Sequence, residues 1–331
     1  MAGVQATDRA RIGVAVAGLW RSPDAPRGID APALEQPPRL EPWLAALDDT
    51  TRARLCHDKL LVTQALLDTP VRILERSTDS QGRAWCRIVV PDQPSSQDPR
   101  GYPGWLPADQ LVADSTAPDE PFDAAARLSI AAPTAWLRGL PNDRAVKLSF
   151  QTRLRPAEPL GEPPAPDSRY DAERVYVRCA LGRGYLPRDT VRVDTPRPPA
   201  TAAMLETLGR RFAGLRYLWA GNSSFGYDCS GLVHTLFAAV GIRLPRDTGD
   251  QVETGQIVPI DRQAAGDLLF FEKPDDSGRL RVDHVALYLG GDRMLHAPTN
   301  NARIECRRLS GSDYHRQLCA VRRYLPGQPS A

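Results

Sequence analysis

The 331-residue sequence predicts a multi-domain protein, with two small all-β modules followed by an α+β domain that contains an antiparallel sheet. The length exceeds what one compact core accommodates, and the 31 prolines concentrate in the first two thirds, between short apolar runs. Segments 115–121 and 194–201 are rich in Pro, Asp and Thr, as is typical of linkers. We therefore expect domains at 1–115, 116–196 and 197–331.

An internal repeat supports the two β modules. Gly104–Val112 reads GWLPADQLV and Gly184–Arg192 reads GYLPRDTVR, so Gly, aromatic, Leu, Pro and Asp recur at equal spacing. Strand-like runs precede each copy, at 70–74 and 84–90 for the first and at 174–180 for the second. The recurrence predicts two copies of one small β-barrel.

The pattern changes from about residue 202. Apolar residues at helical spacing predict helices over Ala202–Leu215 and Cys229–Val240, the second ending before Gly241. Strand patterns follow at 267–271, 284–289, 293–296 and 321–325. Helices followed by consecutive antiparallel strands indicate an α+β domain.

Composition gives little support to several classes of partner. The 42 basic and 40 acidic residues are closely mixed, so net charge offers no argument for nucleic acid or an anionic membrane. No apolar stretch is long enough to cross a bilayer, and we interpret Ile12–Trp20 as a strand and not as a signal peptide. The six scattered cysteines form no CxxC pair, which favours free thiols and a cytoplasmic location.

Cys229 is the candidate nucleophile. It lies in Tyr227-Asp228-Cys229-Ser230-Gly231, where the second predicted helix begins. Unpaired N–H groups and the helix dipole stabilise a thiolate at that position, so we expect a lowered pKa. The alternative is that Cys229 is a small buried apolar residue, which we accept for the other five cysteines.

A cysteine nucleophile needs a base and a group that orients the base. His284 begins one predicted strand and His296 ends the next, across Gly290-Gly291-Asp292. If these three residues form the hairpin loop, Ala286 faces His296 and the two histidines share one face of the sheet. A two-residue loop would put them on opposite faces. Metal binding is the alternative for two neighbouring histidines, but no carboxylate has suitable spacing.

Residues 202–325 resemble the NlpC family of papain-like peptidoglycan endopeptidases. The matching segments occur in order: Tyr217-Leu218-Trp219-Ala220-Gly221, Asp228-Cys229-Ser230-Gly231-Leu232, Leu244-Pro245-Arg246-Asp247-Thr248, Ala265-Gly266-Asp267-Leu268-Leu269-Phe270-Phe271, Asp283-His284-Val285-Ala286-Leu287-Tyr288 and His296-Ala297. The resemblance implies a papain-like catalytic domain with Cys229, His284 and His296 as the catalytic residues. It also implies that Tyr217 faces the substrate.

The upstream modules resemble bacterial SH3-like barrels, and the whole arrangement is similar to γ-D-glutamyl-L-diamino-acid endopeptidases of cell-wall peptide recycling. The resemblance implies that the first barrel walls off the substrate cleft. The partner would be a murein-derived peptide, L-Ala-γ-D-Glu-L-diamino acid with a free N-terminus. No metal or organic cofactor is implied. Alternatives are an exported hydrolase of intact peptidoglycan and an inactive protein that binds cell-wall peptides.

The same resemblance implies roles for five further residues. Tyr102, in Gly101-Tyr102-Pro103-Gly104-Trp105, would line the blocked end of the cleft, and Asp68 is the candidate for binding the substrate amine, where the family has Glu. Asp228, Ser230 and Thr248 would hold the L-Ala-D-Glu portion. Asp228 also suits a helix N-cap, and Thr248 suits a cap for a helix that begins at 249 or 250.

Overall fold

A computed structural model describes residues 9–114, 128–157, 173–193, 199–275, 277–299 and 302–326. The expected domain boundaries, at 115/116 and 196/197, lie outside these residues, so that division stays a prediction. The described residues form two compact units. The second consists of 48–58, 93–102 and the described residues from 199 onward, and the first consists of the rest.

The first unit contains a seven-stranded sheet with strand order β3-β2-β6-β5-β4-β1-β7. These strands are β1 (Arg9–Ile12), β2 (Val16–Trp20), β3 (Leu61–Leu66), β4 (Pro70–Thr78), β5 (Ala84–Val90), β6 (Tyr102–Pro107) and β7 (Leu111–Ala113). The run Ile12–Trp20, expected as one strand, is divided between β1 and β2. Two short helices, α1 (Ala31–Leu34) and α2 (Leu40–Ala46), follow β2 in the chain.

A second, five-stranded sheet has the order β13-β12-β11-β8-β14, and a two-stranded ribbon pairs β9 with β10. The strands are β8 (Leu128–Ile130), β9 (Thr134–Leu137), β10 (Val146–Ser149), β11 (Arg153–Pro156), β12 (Arg174–Cys179), β13 (Gly182–Pro187) and β14 (Val191–Val193). Each of the two larger sheets has its own apolar core, one around Ile88 and Leu106 and the other around Leu137 and Leu186.

The repeated sequence forms the same local structure twice. In both copies a strand ends at the proline, a 3₁₀ turn follows, and a three-residue strand begins, as β6 to β7 and as β13 to β14. The glycine of each copy is needed for close packing. A Cβ on Gly104 would lie 2.8 Å from Leu19 Cβ, and one on Gly184 would lie 2.7 Å from the Arg138 carbonyl oxygen. That the modules are SH3-like barrels stays a prediction.

The second unit is built on a six-stranded antiparallel sheet of order β17-β22-β18-β19-β20-β21, as the α+β prediction requires. Its strands, with a separate ribbon of β15 and β16, are β15 (Asn222–Ser223), β16 (Gly226–Tyr227), β17 (Gln256–Val258), β18 (Leu268–Pro274), β19 (Leu280–Gly290), β20 (Arg293–His296), β21 (Glu305–Arg308) and β22 (Leu318–Arg323). The helices are α3 (Asp49–His57), α4 (Ala202–Arg210), α5 (Cys229–Ala239), α6 (Thr248–Val252) and α7 (Asp313–Gln317).

Two helix predictions are confirmed with shorter bounds. Helix α4 ends at Arg210 because the chain turns there, and the N–H of Gly214, at φ +86°, donates to the Ile304 carbonyl. Helix α5 begins at Cys229 as predicted and is buried along nearly its whole length, between α4, α6 and β19. No helix in the described parts of the chain is long and apolar enough to span a membrane.

Candidate active site

Cys229 is the first residue of α5, and Asp228 is the N-cap, its Oδ1 accepting a 2.6 Å hydrogen bond from the Gly231 N–H. The thiol is buried, with Sγ 3.7 Å from Thr248 Oγ1 and within hydrogen-bonding reach of the Val285 N–H. Burial, followed by the negative charge of Asp228, raises the pKa of Cys229 to about 12. The expectation of a lowered pKa is therefore wrong for the free enzyme. Loss of hydration outweighs the helix terminus because the charged form is the one that burial disfavours.

The hairpin that carries the two histidines differs from prediction at its turn and agrees with it beyond the turn. Gly290 faces Arg293, which leaves a two-residue loop of Gly291 and Asp292, both with positive φ. Positive φ at both positions is what a type I′ turn requires. A bulge between Tyr288 and Gly290 restores the predicted register, so Leu287 faces Leu295. The extra residue keeps the histidines on one face despite the short loop.

The two imidazoles are in direct contact. His284 Nε2 lies 2.8 Å from His296 Nδ1, and His296 Nε2 lies 3.4 Å from Glu305 Oε1. His284 Nδ1 is buried and has no hydrogen-bond partner among the residues that the structure describes. Burial, then the neighbouring His296, lowers the pKa of His284 well below its usual value, while burial and the Arg307 charge lower the pKa of His296 to about 3. Both rings are thus neutral near pH 7, and His284 Nδ1 is available as a base.

Two aromatic rings enclose this pair. Tyr314 lies with its ring centroid 5.1 Å from that of His284 and 4.8 Å from that of His296, and Phe271 packs 5.5 Å from His284. These rings pack against the imidazoles and contribute to the burial of the pair. Tyr314, on the short helix α7, was not found from the sequence because nothing in its local pattern marks it.

A buried ion pair holds the start of α5. Arg246 is fully buried and donates to both carboxylate oxygens of Asp228, at 2.8 and 3.1 Å, as well as to Ser230 Oγ at 2.9 Å and the Gly221 carbonyl at 3.3 Å. Asp228 therefore caps the helix and also binds Arg246. Arg246 lies in one of the segments that match the family, but no role of its own was assigned to it from the sequence.

Tyr102 and Asp247 form a second polar pair within the same unit. The Tyr102 hydroxyl donates to Asp247 Oδ2 at 2.9 Å, and the Gln97 amide lies 3.4 Å from the same oxygen. Burial raises the pKa of Asp247, and Arg246 opposes that shift. Thr248 is the first residue of α6, with Asp247 at the N-cap position, so it does not cap a helix that begins later.

Tyr217 and Asp68 are the two remaining candidate residues from the sequence analysis. Tyr217 is buried, and burial, followed by the negative charge of an ionised Cys229, raises the pKa of its hydroxyl well above the usual value. Asp68 is 1% exposed in the first unit, where its Oδ1 accepts from the Ala180 N–H and its Oδ2 lies 3.7 Å from both Arg11 and Arg155. Its carboxylate already contacts these groups, and the role of Asp68 in binding an amine stays a prediction. Among the described residues, no group of three or more His, Cys, Asp or Glu side chains could hold a metal ion.

Comparison with known proteins agrees with this geometry. A sequence profile of the NlpC/P60 family matches residues 214–323. A γ-D-glutamyl-L-lysine dipeptidyl-peptidase of Bacillus subtilis is 37% identical over 309 residues, 93% of this chain and 96% of the relative, and one of Bacillus cereus is 34% identical over 96% of this chain and 91% of the relative. The crystal structure of an NlpC/P60 family protein from Bacillus cereus superposes with a TM-score of 0.85 at 31% identity, covering 96% of this chain and all of that one.

A thiol at a helix start within reach of the Val285 N–H, with two contacting imidazoles of which the first is the preceding residue, on a helix packed against an antiparallel sheet, defines a cysteine peptidase domain of papain-like type. The chain belongs to the NlpC/P60 family of peptidoglycan-hydrolysing cysteine peptidases.

Proposed function

We propose that this protein is a cysteine endopeptidase that hydrolyses the γ-D-glutamyl–L-diamino acid bond of murein peptides with a free N-terminal L-alanine and releases L-Ala-γ-D-Glu. Two relatives that match nearly the full chain carry γ-D-glutamyl-L-lysine dipeptidyl-peptidase activity in their names. The observation that carries the proposal is the Cys229–His284–His296 arrangement within the same unit as Tyr102 and Asp247.

The reaction begins from an uncharged pair. Because burial raises the pKa of Cys229 and lowers that of His284, the free enzyme holds a thiol and a neutral imidazole. His284 Nδ1 takes the thiol proton as the sulfur attacks the γ-carbonyl carbon of D-glutamate. His296 contacts His284 at Nε2, at 2.8 Å, so Nδ1 is the ring nitrogen of His284 that is left to take the thiol proton.

This attack forms a tetrahedral intermediate whose oxyanion needs hydrogen-bond donors. The backbone N–H of Cys229, at the start of α5, and the Tyr217 hydroxyl are the candidates, each worth about 2.7–4 kcal/mol in comparable sites. His284 returns the proton to the amine of the diamino acid, which leaves. Water then attacks the thioester with His284 again as base and frees L-Ala-γ-D-Glu.

The Tyr102–Asp247 pair supports the proposed restriction to a free N-terminus. A buried carboxylate that accepts from a tyrosine hydroxyl favours a neighbouring ammonium group, which restores the charge balance lost on burial. An acetylated amine lacks that charge and adds volume at the same place. In this assignment Asp247 takes the role first given to Asp68, and Asp228, Ser230 and Thr248 shape the adjoining subsite. That the upstream modules are SH3-like barrels, and that the enzyme is cytoplasmic, stay predictions.

Mass spectrometry of peptide digests tests the proposal. L-Ala-γ-D-Glu-L-Lys and its meso-diaminopimelate counterpart would be digested beside N-acetylated copies, with Cys229→Ala as control. We expect cleavage of the free-amine peptides only, and none by the control. Equal cleavage of the acetylated peptides would favour the exported hydrolase of intact peptidoglycan, and no cleavage of any peptide would favour a binding protein.

A further inference from the structure

A carboxylate lies opposite His296 on the neighbouring strand of the sheet. Neither the sequence motifs nor the family resemblance singles it out. Glu305 begins β21 and is the direct cross-strand partner of His296 in the antiparallel β20–β21 pair. Directly opposed residues place their side chains on the same face, and Glu305 Oε1 lies 3.4 Å from His296 Nε2. The Glu305 side chain is 46% exposed, and Arg307 Nη1 lies 3.4 Å from the same oxygen.

The hydrogen-bond chain constrains where the protons of the two neutral imidazoles reside. A neutral imidazole carries one proton, and an ionised carboxylate only accepts. If His296 donates from Nε2 to Glu305, its Nδ1 must accept, and His284 must then donate from Nε2 across the 2.8 Å contact. His284 Nδ1 is left as a lone pair, which is the form that accepts the thiol proton.

In the opposite arrangement of the two protons, His284 cannot act as a base. If His296 carried its proton on Nδ1 and donated to His284 Nε2, then His284 would carry its proton on Nδ1. Within the described parts of the chain, that nitrogen is buried and has no other hydrogen-bond partner. It would then carry a proton and could not accept one from the thiol, and Glu305 would face a bare nitrogen. The two arrangements differ only in proton position, and Glu305 is the group that distinguishes them.

We propose that Glu305 is a positioning residue that selects the reactive tautomer of the His284–His296 pair. It touches neither the substrate nor the reacting atoms. Arg307 neutralises the carboxylate at its exposed side and opposes a positive charge on His296. Glu305 and Arg307 together therefore set the tautomer of His296 without stabilising a charged imidazolium. The inference rests on the proposed roles of Cys229, His284 and His296.

The test measures tautomers and turnover separately. Ring-¹⁵N-labelled histidine in the full chain, without substrate, reports which nitrogen of His284 and His296 is protonated. Turnover is measured with L-Ala-γ-D-Glu-L-Lys. Glu305→Leu removes the acceptor at similar size, Glu305→Gln retains an acceptor oxygen without charge, and Glu253→Leu, at an exposed glutamate after α6, is the matched control.

We expect wild type and E253L to hold both rings as single Nε2–H tautomers. E305L should show mixed tautomers and a kcat lowered roughly tenfold with KM within twofold, and E305Q should show a smaller loss. If E305L loses its fold, Glu305→Ala replaces it, since a half-exposed side chain can be truncated at low cost. Unchanged tautomers in the variant that lacks the acceptor would overturn the proposal, whatever the turnover. If wild type fails to cleave the peptide, the proposed function fails while the tautomer result still decides this inference.

Discussion

Replacing Arg246 by methionine removes the buried cation that is paired with Asp228 and should destabilise the start of α5. Arg246 is fully buried, and it donates two hydrogen bonds to the Asp228 carboxylate, at 2.8 and 3.1 Å. Each charge-assisted bond contributes about 1.5–3 kcal/mol, and breaking one partner of a buried pair costs about 3–5 kcal/mol. The Gly231 N–H still donates to Asp228, so we expect a loss within that second range and not above it.

Native-state hydrogen exchange of the α5 amides measures this cost within the second unit alone. The free energy of opening should fall by about 3–5 kcal/mol in R246M. R246M/D228N should recover at least half of the loss, because it removes the unpaired charge. Arg262→Met, at an exposed arginine in the same unit, should stay within about 0.5 kcal/mol of wild type. A change below about 1 kcal/mol in R246M, or no recovery in the double variant, would refute the reasoning.

Three further outcomes are expected. Because the pKa of His284 is lowered, the acid limb of the pH profile of kcat/KM should lie well below pH 6.5. The base is protonated, and activity is lost, only below its own pKa. An acid limb at or above pH 6.5 would contradict the neutral thiol–imidazole pair. Gly231→Ala would put a Cβ 2.2 Å from a backbone oxygen and should lower the free energy of unfolding by at least about 1–3 kcal/mol, as measured by thermal unfolding. A Cβ on Gly249 meets nothing within 4 Å, so Gly249→Ala should be neutral or stabilising. Tyr102→Phe removes the hydrogen bond to Asp247. It should raise KM for the free-amine peptide about 5- to 10-fold and leave kcat nearly unchanged. An unaltered KM would exclude the Tyr102–Asp247 pair from substrate binding.

The sequence was sufficient where structure depends on local pattern. Helix α5 begins at the predicted residue because Asp228 is a strong N-cap, and strand β20 has the predicted bounds. The hairpin turn was predicted with one residue too many in its loop. Gly290 takes part in a bulge there, and neither its positive φ nor the bulge can be distinguished from a longer loop by spacing alone.

Properties that depend on distant residues could not be predicted. The raised pKa of Cys229 comes from burial by elements far apart in sequence, so a rule based on helix position alone gave the wrong sign. Asp68 was assigned from alignment to a family glutamate, and only the structure shows its carboxylate engaged by Ala180 and two arginines. Glu305 was missed because its relation to His296 exists only across paired strands.

The most direct test of the account is intact-protein mass spectrometry of the acyl-enzyme. Wild type would be mixed with L-Ala-γ-D-Glu-L-Lys, quenched in acid within the first turnover, and mapped by proteolysis. We expect a mass increase of one L-alanyl-D-glutamyl group on the peptide that contains Cys229, and no adduct in Cys229→Ala. Full hydrolysis by Cys229→Ala, or an adduct on another residue, would contradict it.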